Sequence, residues 1–302
     1  MNLRDLEYVA AVADHRHFGR AAEACGVSQP TLSAQIRKLE DELGVELFER
    51  SPRNITPTPA GERVLERIHR VLIETSSIAE IATEMGDSES AVLRVGLFPT
   101  LAPYLLPHVV PEVRSAFPNL NLHLVEAKTD EIVEQLRSGR LDVGVLALPI
   151  VGDDLTSELL FSEEFVLATP SDHPLALAGD PVSPAALVDQ HMMLLEDGHC
   201  LREQSLAVCN LVGASEDAEL RSTSLETMRQ MVAAGVGITL LPRLAVSPPI
   251  TRSPMISLVE FVEPRPARTI AMFWRTTSAH RAFLPRLAEV FARVPDDLVR
   301  RL

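Results

Sequence analysis

The chain has 302 residues, 46% of them hydrophobic and 23% charged, which suits two or three globular domains with sizeable cores. No apolar run reaches the roughly 18 residues of a spanning helix, the charged start MNLRDLEYVA is unlike a secretory signal, and three cysteines without a CxxC pair exclude a disulfide scaffold and a zinc site. A net charge of −14 argues against nucleic-acid binding, yet the first seventy residues are almost balanced and Ser28–Leu39 carries Arg37 and Lys38 without an acid. The expected setting is cytoplasmic, with reduced thiols, no membrane partner, no metal and no cofactor.

In chain order, Leu3, Leu6, Val9, Ala10 and Val12 or Ala13 follow a helical period. A second helix is predicted over about Phe18–Ala24, with Phe18, Ala22 and Cys25 on its apolar face and Gly26 placed to end it. Ser28 is a good N-cap and Pro30 suits a first turn, so a third helix is predicted from there to Leu43, stopping at Gly44. Leu32, Ile36, Leu39 and Leu43 form its expected core face. The opposite face carries Pro30, Ala34, Arg37 and Asp41, flanked by Thr31, Ser33 and Lys38. Two helices joined by a tight glycine turn, with small polar residues opening the second, make a helix-turn-helix pattern. Gln29, Thr31 and Ser33 could reach base edges, and Arg37 and Lys38 phosphates, with Ser28 and Pro30 at the same helix start. The stretch LFERSPRNITPT is predicted to form strands Leu47–Glu49 and Asn54–Thr56, with Arg50 and Arg53 at the tip of a basic wing. The pattern alone also describes domains that never meet DNA.

Thr58 and Pro59 open a long helix in which Val64, Ile68, Val71, Thr75, Ile78, Ala82 and Met85 alternate steps of four and three. That is the period of a coiled-coil seam, and dimerisation is the favoured reading; the alternative is a helix packed on its own domain. GDSES then reads as a linker. The expected organisation is an all-α winged helix-turn-helix domain at 1–58, a dimerisation helix at 59–87 and an α/β domain at 91–302.

From Ala91 the pattern alternates between strand and helix. Strands are predicted at Val92–Leu97, Leu120–Glu126, Leu141–Leu148, Phe165–Thr169, Met192–Leu195, Ile238–Leu241 and Thr269–Trp274. Helices are predicted at Leu101–Phe117, Asp130–Ser138, Leu201–Leu211, Ser224–Ala234 and Ala279–Ala292. This alternation implies a mainly parallel α/β fold, with enough chain for two lobes and a cleft. Thr100 falls at a strand end, where such folds place ligands, or merely caps the next helix.

The stretches FGRAAEACGVSQPTLSAQIRKLEDELGVELFER, GRLDVGVLAL and MVAAGVGITLLP resemble the helix-turn-helix and effector domain of LysR-type transcriptional regulators. LFPTLAPYLLPHVVP, LLEDGHCLREQSLAVC and STSLETMRQMVAAG are similar to the peroxide-sensing members of that family. The resemblance implies a periplasmic-binding-protein-like regulatory domain, an operator in double-stranded DNA, RNA polymerase as a partner and a dimer of dimers. It also implies that Cys200 and Cys209 form a reversible disulfide, that Thr100, Thr129 and Arg268 converge on Cys200, and that cellular dithiols reduce the pair. Where those regulators often carry a His before the RSTSLE-like motif, this chain has Glu219.

The segment between the two cysteines, LREQSLAV, has good helix propensity. Nine residues of helix rise about 13.5 Å, whereas a disulfide needs Cα atoms about 4.4–6.8 Å apart, so bonding requires unwinding. His199 and Arg202 lie close in sequence as positive groups that would favour a thiolate. Cys25 reads as a buried apolar residue. Two other readings stay open: a regulator that binds a small metabolite in the cleft, and a thiol peroxidase using Cys200 for turnover. The expected answer is a non-enzymatic regulator.

Overall fold

The structure is a computed structural model that describes residues 1–50, 55–84, 92–188, 190, 192–212, 216–222, 224–251 and 253–302. Arg53, Asn54, Met85, the linker at 86–90 and His191 lie outside the described residues, as do the side chains of Arg50, Ala82, Cys209 and Glu219. The chain divides into two compact units, Met1–Gly86 and Asp87–Leu302.

The first unit contains α1 (Leu3–His15), α2 (Phe18–Ala24), α3 (Gln29–Leu43), β1 (Phe48–Arg50), β2 (Ile55–Pro57) and α4 (Pro59–Glu84). Its helix ends follow local chemistry. Asn2 and Asp5 form a reciprocal capping box on α1. The Ser28 hydroxyl accepts from the Thr31 amide at the start of α3, and Gly44, at φ 69°, closes it. β1 and β2 pair antiparallel, Phe48 opposite Pro57, one residue later than predicted. The carboxylate of Glu40 accepts from the Leu47 amide at 2.9 Å and fixes the entry to this hairpin. Leu32, Ile36 and Leu39 are buried with Val9, Val12 and Phe48.

Two expectations fail in this unit. Leu43 is 38% exposed, because the helix ends at Gly44 before the core reaches it. Ile68, assigned to a dimer seam, is 4% exposed and belongs to the unit's own core. Val71 and Ile78 are 45% and 69% exposed. The first turns of α4 therefore pack on their own domain, and the apolar face becomes free further along.

The second unit contains β3 (Val92–Leu97), α5 (Ala102–Ala116), β4 (Asn121–Glu126), α6 (Thr129–Arg137), β5 (Val143–Ala147), β6 (Leu155–Pro170), α7 (Pro174–Ala178), β7 (Met192–Leu195), α8 (Cys200–Val212), β8 (Glu216–Ser222), α9 (Leu225–Ala233), β9 (Thr239–Pro242), β10 (Ile256–Val259), β11 (Ala267–Arg275), α10 (Leu284–Phe291) and β12 (Arg300–Arg301). The main sheet runs β10-β6-β11-β5-β3-β4, with β9 and β12 also pairing with β6. Gly96 and Gly144 are opposed in the β3–β5 register. A Cβ at either would come within 3.0 Å of Ile132 or nearer still to Leu141 or Leu136, so their bareness lets α6 lie close on the sheet.

The sheet is not mainly parallel. β3–β4, β3–β5 and β7–β8 are parallel, whereas β6 and β11 pair antiparallel with all their neighbours. The reason is β6, a 16-residue strand of which sequence reasoning found only the last third. Its first part pairs with β11, its last part with β9 and β10, and it carries the chain from one lobe to the other. β11 brings the chain back and must run the opposite way. β8, β10 and β12 were missed as well. The predicted helix Ala279–Ala292 is a 3-10 turn, Ala279–Ala282, followed by α10.

Candidate functional site

On the first unit, Ser28, Gln29, Pro30, Thr31, Arg37 and Lys38 are exposed, and Ser33 is half-buried. The Ser28 and Thr31 hydroxyls hydrogen-bond each other at 2.7 Å, so both also serve the helix cap. The face predicted for DNA is thus open to solvent on α3, and the backbone of Arg50 ends β1 beside it in sequence.

On the second unit the thiol site gathers at the ends of parallel strands. Thr100 follows β3, Thr129 opens α6 after β4, and Cys200 is the first residue of α8. Arg268 sits in β11 directly across from Glu163 in β6, where β6 changes partners. Both side chains are buried, Glu163 completely. The guanidinium donates from Nε to Glu163 at 2.8 Å, from Nη1 to the Thr100 hydroxyl at 3.1 Å and from Nη2 to the Thr100 carbonyl at 3.0 Å. It also lies 5.1 Å from the Phe98 ring centre and 5.9 Å from that of Phe165. The other Glu163 oxygen accepts from the Leu244 amide at 2.9 Å. Removing one member of so deeply buried a pair typically costs about 3–5 kcal/mol.

Burial pushes the Cys200 thiol up from its ordinary value. Arg268 pulls it down, followed by Thr129, the Leu201 amide and Thr100. The start of a helix adds a favourable dipole for a thiolate. Thr129 Oγ1 is buried and makes no hydrogen bond of ordinary geometry, though it lies close enough to influence the thiol.

The two groups expected to activate the thiol from nearby in sequence behave differently. His199 is buried, and that burial, reinforced by Lys128, holds its pKa below the usual value, so it is neutral near pH 7. Arg202 pairs with Asp197 at 2.8 Å and donates to the Leu195 carbonyl. The charge that acts on Cys200 comes instead from Arg268, 68 positions along the chain. Lys128 reaches across from the start of α6 to Glu196 at 3.2 Å and to the Asp197 carbonyl at 3.1 Å, holding the turn before Cys200. Gly198 in that turn has φ 88°.

Glu163, Phe98 and Phe165 were not found from sequence. The available signal was an acid within LLFSEEFVLAT, since a carboxylate in an apolar strand calls for a cation. Among the described residues no group of three or more His, Cys, Asp or Glu side chains could hold a metal, and no helix is long and apolar enough to cross a membrane.

A winged helix-turn-helix followed by a two-lobed α/β unit defines a class of bacterial transcription regulator. The bacterial regulatory helix-turn-helix protein, lysR family, matches residues 3–62, and the LysR substrate binding domain matches residues 86–294; the chain belongs to the LysR family. It is 48% identical over 289 residues to the DNA-binding transcriptional dual regulator OxyR of Escherichia coli, covering 96% of this chain and 94% of that one. A full-length OxyR variant from Pseudomonas aeruginosa superposes with a TM-score of 0.81 at 36% identity, covering 100% and 98% of the two chains. An H2O2-bound OxyR variant from Corynebacterium glutamicum gives 0.66 at 34% identity, covering 97% and 92%.

Proposed function

We propose that this chain is a DNA-binding transcriptional regulator that senses hydrogen peroxide through a reversible Cys200–Cys209 disulfide. The observation that carries the proposal is the placement of both cysteines in α8, with Cys200 at its first residue beside Arg268, Thr100 and Thr129. The likeness to OxyR proteins supports the choice of oxidant.

The Cys200 thiolate attacks one peroxide oxygen and the O–O bond breaks. A sulfenic acid forms at sulfur, and the departing hydroxide takes up a proton to become water. Arg268 steadies the thiolate, and the threonine hydroxyls hold the peroxide and donate to the leaving oxygen. Cys209 then attacks the sulfenic sulfur, an S–S bond forms and a second water leaves. Cys200 and Cys209 stand about 13.5 Å apart along an intact helix, so closure unwinds α8. A dithiol reductant reverses the step by exchange.

DNA is bound by Ser28 at the cap of α3, by Gln29, Pro30, Thr31, Ser33, Arg37 and Lys38 on it, and by Arg50 and Arg53. Two copies join through the free part of α4. A groove of about 470 Å³ with apolar Leu43, Val45 and Val71 and charged Arg63, Glu66 and Arg67 in its lining opens beside it. Paired heads would address two half-sites. A dimer of dimers acting with RNA polymerase in the cytoplasm completes the reading.

Peroxide-dependent footprinting tests the proposal. Cys200→Ser abolishes the peroxide-induced change in footprint. Cys209→Ser accumulates a sulfenic acid without that change, and Cys25→Ser responds as the parent does. A full response from Cys200→Ser rejects the redox reading and favours a metabolite effector. Sustained turnover of peroxide with a thiol reductant would favour a thiol peroxidase.

A further inference from the structure

We propose that Glu163 is a positioning residue for the reaction at Cys200: its carboxylate fixes Arg268, and through it aims the Thr100 hydroxyl and sets how much positive charge the thiol feels. The inference rests on the peroxide reading above and extends it to a group that touches neither the thiol nor the oxidant.

The geometry is a relay. The Leu244 amide anchors one Glu163 oxygen, and the other takes the Arg268 Nε. Nη2 lies 2.7 Å from that same oxygen and donates to the Thr100 carbonyl, while Nη1 is directed at the Thr100 hydroxyl. Because Thr100 Oγ1 already accepts from Arg268, its own proton is directed elsewhere, and this hydroxyl is one of the groups acting on the Cys200 thiol. Phe98 and Phe165 flank the guanidinium and limit its alternatives. A full negative charge in direct contact with Arg268 also offsets its attraction for a thiolate. Among the described residues, the charged groups in the turn before Cys200 are engaged with partners of their own: Lys128 meets Glu196 and Arg202 meets Asp197.

Two opposite effects follow from removing the charge while keeping the shape. In Glu163→Gln the buried guanidinium loses its counter-charge, so the thiol ionises at lower pH. The same guanidinium loses its anchor, so peroxide reacts more slowly with each thiolate. A residue that only stabilised the fold would not move these quantities in opposite directions.

The experiment uses full-length protein carrying Cys25→Ser and Cys209→Ser, so that only Cys200 reports. The pH dependence of alkylation by iodoacetamide gives the thiol midpoint, and trapping of sulfenic acid after hydrogen peroxide gives the oxidation rate. Glu163→Gln is expected to lower the midpoint by about one pH unit. It is also expected to slow oxidation, at matched thiolate, by about tenfold or more. Glu163→Asp retains the charge, so its midpoint stays near the parent's while its oxidation rate falls between the two. Parent-like values in both measurements for Glu163→Gln overturn the proposal. Should that variant not fold, a Glu163→Asp protein that oxidises as fast as the parent overturns it equally. A parent thiol inert to peroxide removes the peroxide reading, while the alkylation profiles still report whether Glu163 sets the charge at Cys200.

Discussion

Thr129 carries a hydroxyl that is buried beside a thiol and makes no hydrogen bond of ordinary geometry. A buried hydroxyl without a well-formed partner costs about 1–3 kcal/mol, and the group this one acts on is the Cys200 thiol. Thr129→Val keeps the shape and deletes the polar atom. The expected result is a melting temperature equal to or above the parent's, together with slower peroxide oxidation of Cys200. A drop in melting temperature with unchanged oxidation would mark the hydroxyl as structural. At this scale the sequence was partly legible. Thr100 and Cys200 stood out through strand-end position and motif, and Thr129 and Arg268 through resemblance. Glu163 did not, because its role depends on standing opposite Arg268 in register, 105 positions away, and register is set by the whole sheet. His199 and Arg202 were chosen by closeness in sequence, which does not foretell that Arg202 pairs with Asp197 or that burial lowers the His199 pKa.

The element that matters most is α8. Its described backbone is helical from Cys200 to Val212, so the proposed disulfide between its first and tenth residues would require unwinding. Ala207 is exposed in the middle of this helix. Ala207→Gly weakens the helix by about 1 kcal/mol without touching the thiol pocket. The disulfide should then become harder to reduce, its potential falling by roughly 20 mV at about 30 mV per 1.4 kcal/mol. Redox titration against glutathione measures this, and an unchanged potential would separate disulfide formation from unwinding. The long helix α4 gives a second contrast. Ile68→Asp places a charge in the core of the first unit and should unfold it, at a cost of several kcal/mol. Val71→Asp and Ile78→Asp, on exposed positions, should leave the fold intact and weaken dimerisation. Thermal melting with sedimentation separates the two, and an Ile78→Asp protein that sediments with the parent would place the interface elsewhere. Helices were legible because their period and caps are local, as at Ser28 and Gly44. β6 was not, because Glu158, Glu163 and Glu164 interrupt its apolar run, and only its pairing with β11 shows it to be one strand.

At the scale of the molecule, the chain is acidic overall, yet its α3 face carries Arg37 and Lys38 in the open. Whole-chain charge argues against DNA, whereas the local distribution of charge on α3 is compatible with it. The winged unit and the strand–helix alternation of the second unit were both visible in the sequence. The antiparallel return of β11 was hidden, because nothing local tells a strand which way its neighbour runs. Peroxide chemistry at the start of α8 is proposed to end in one particular covalent bond, between Cys200 and Cys209. Mass spectrometry of peptides from full-length protein, treated with about one equivalent of hydrogen peroxide and then blocked, tests this directly. The expected product is a disulfide-linked pair containing Cys200 and Cys209, lost on treatment with a dithiol, with Cys25 still alkylated as a free thiol. Cys200 recovered unmodified, or joined to Cys25 in place of Cys209, would rule out that switch.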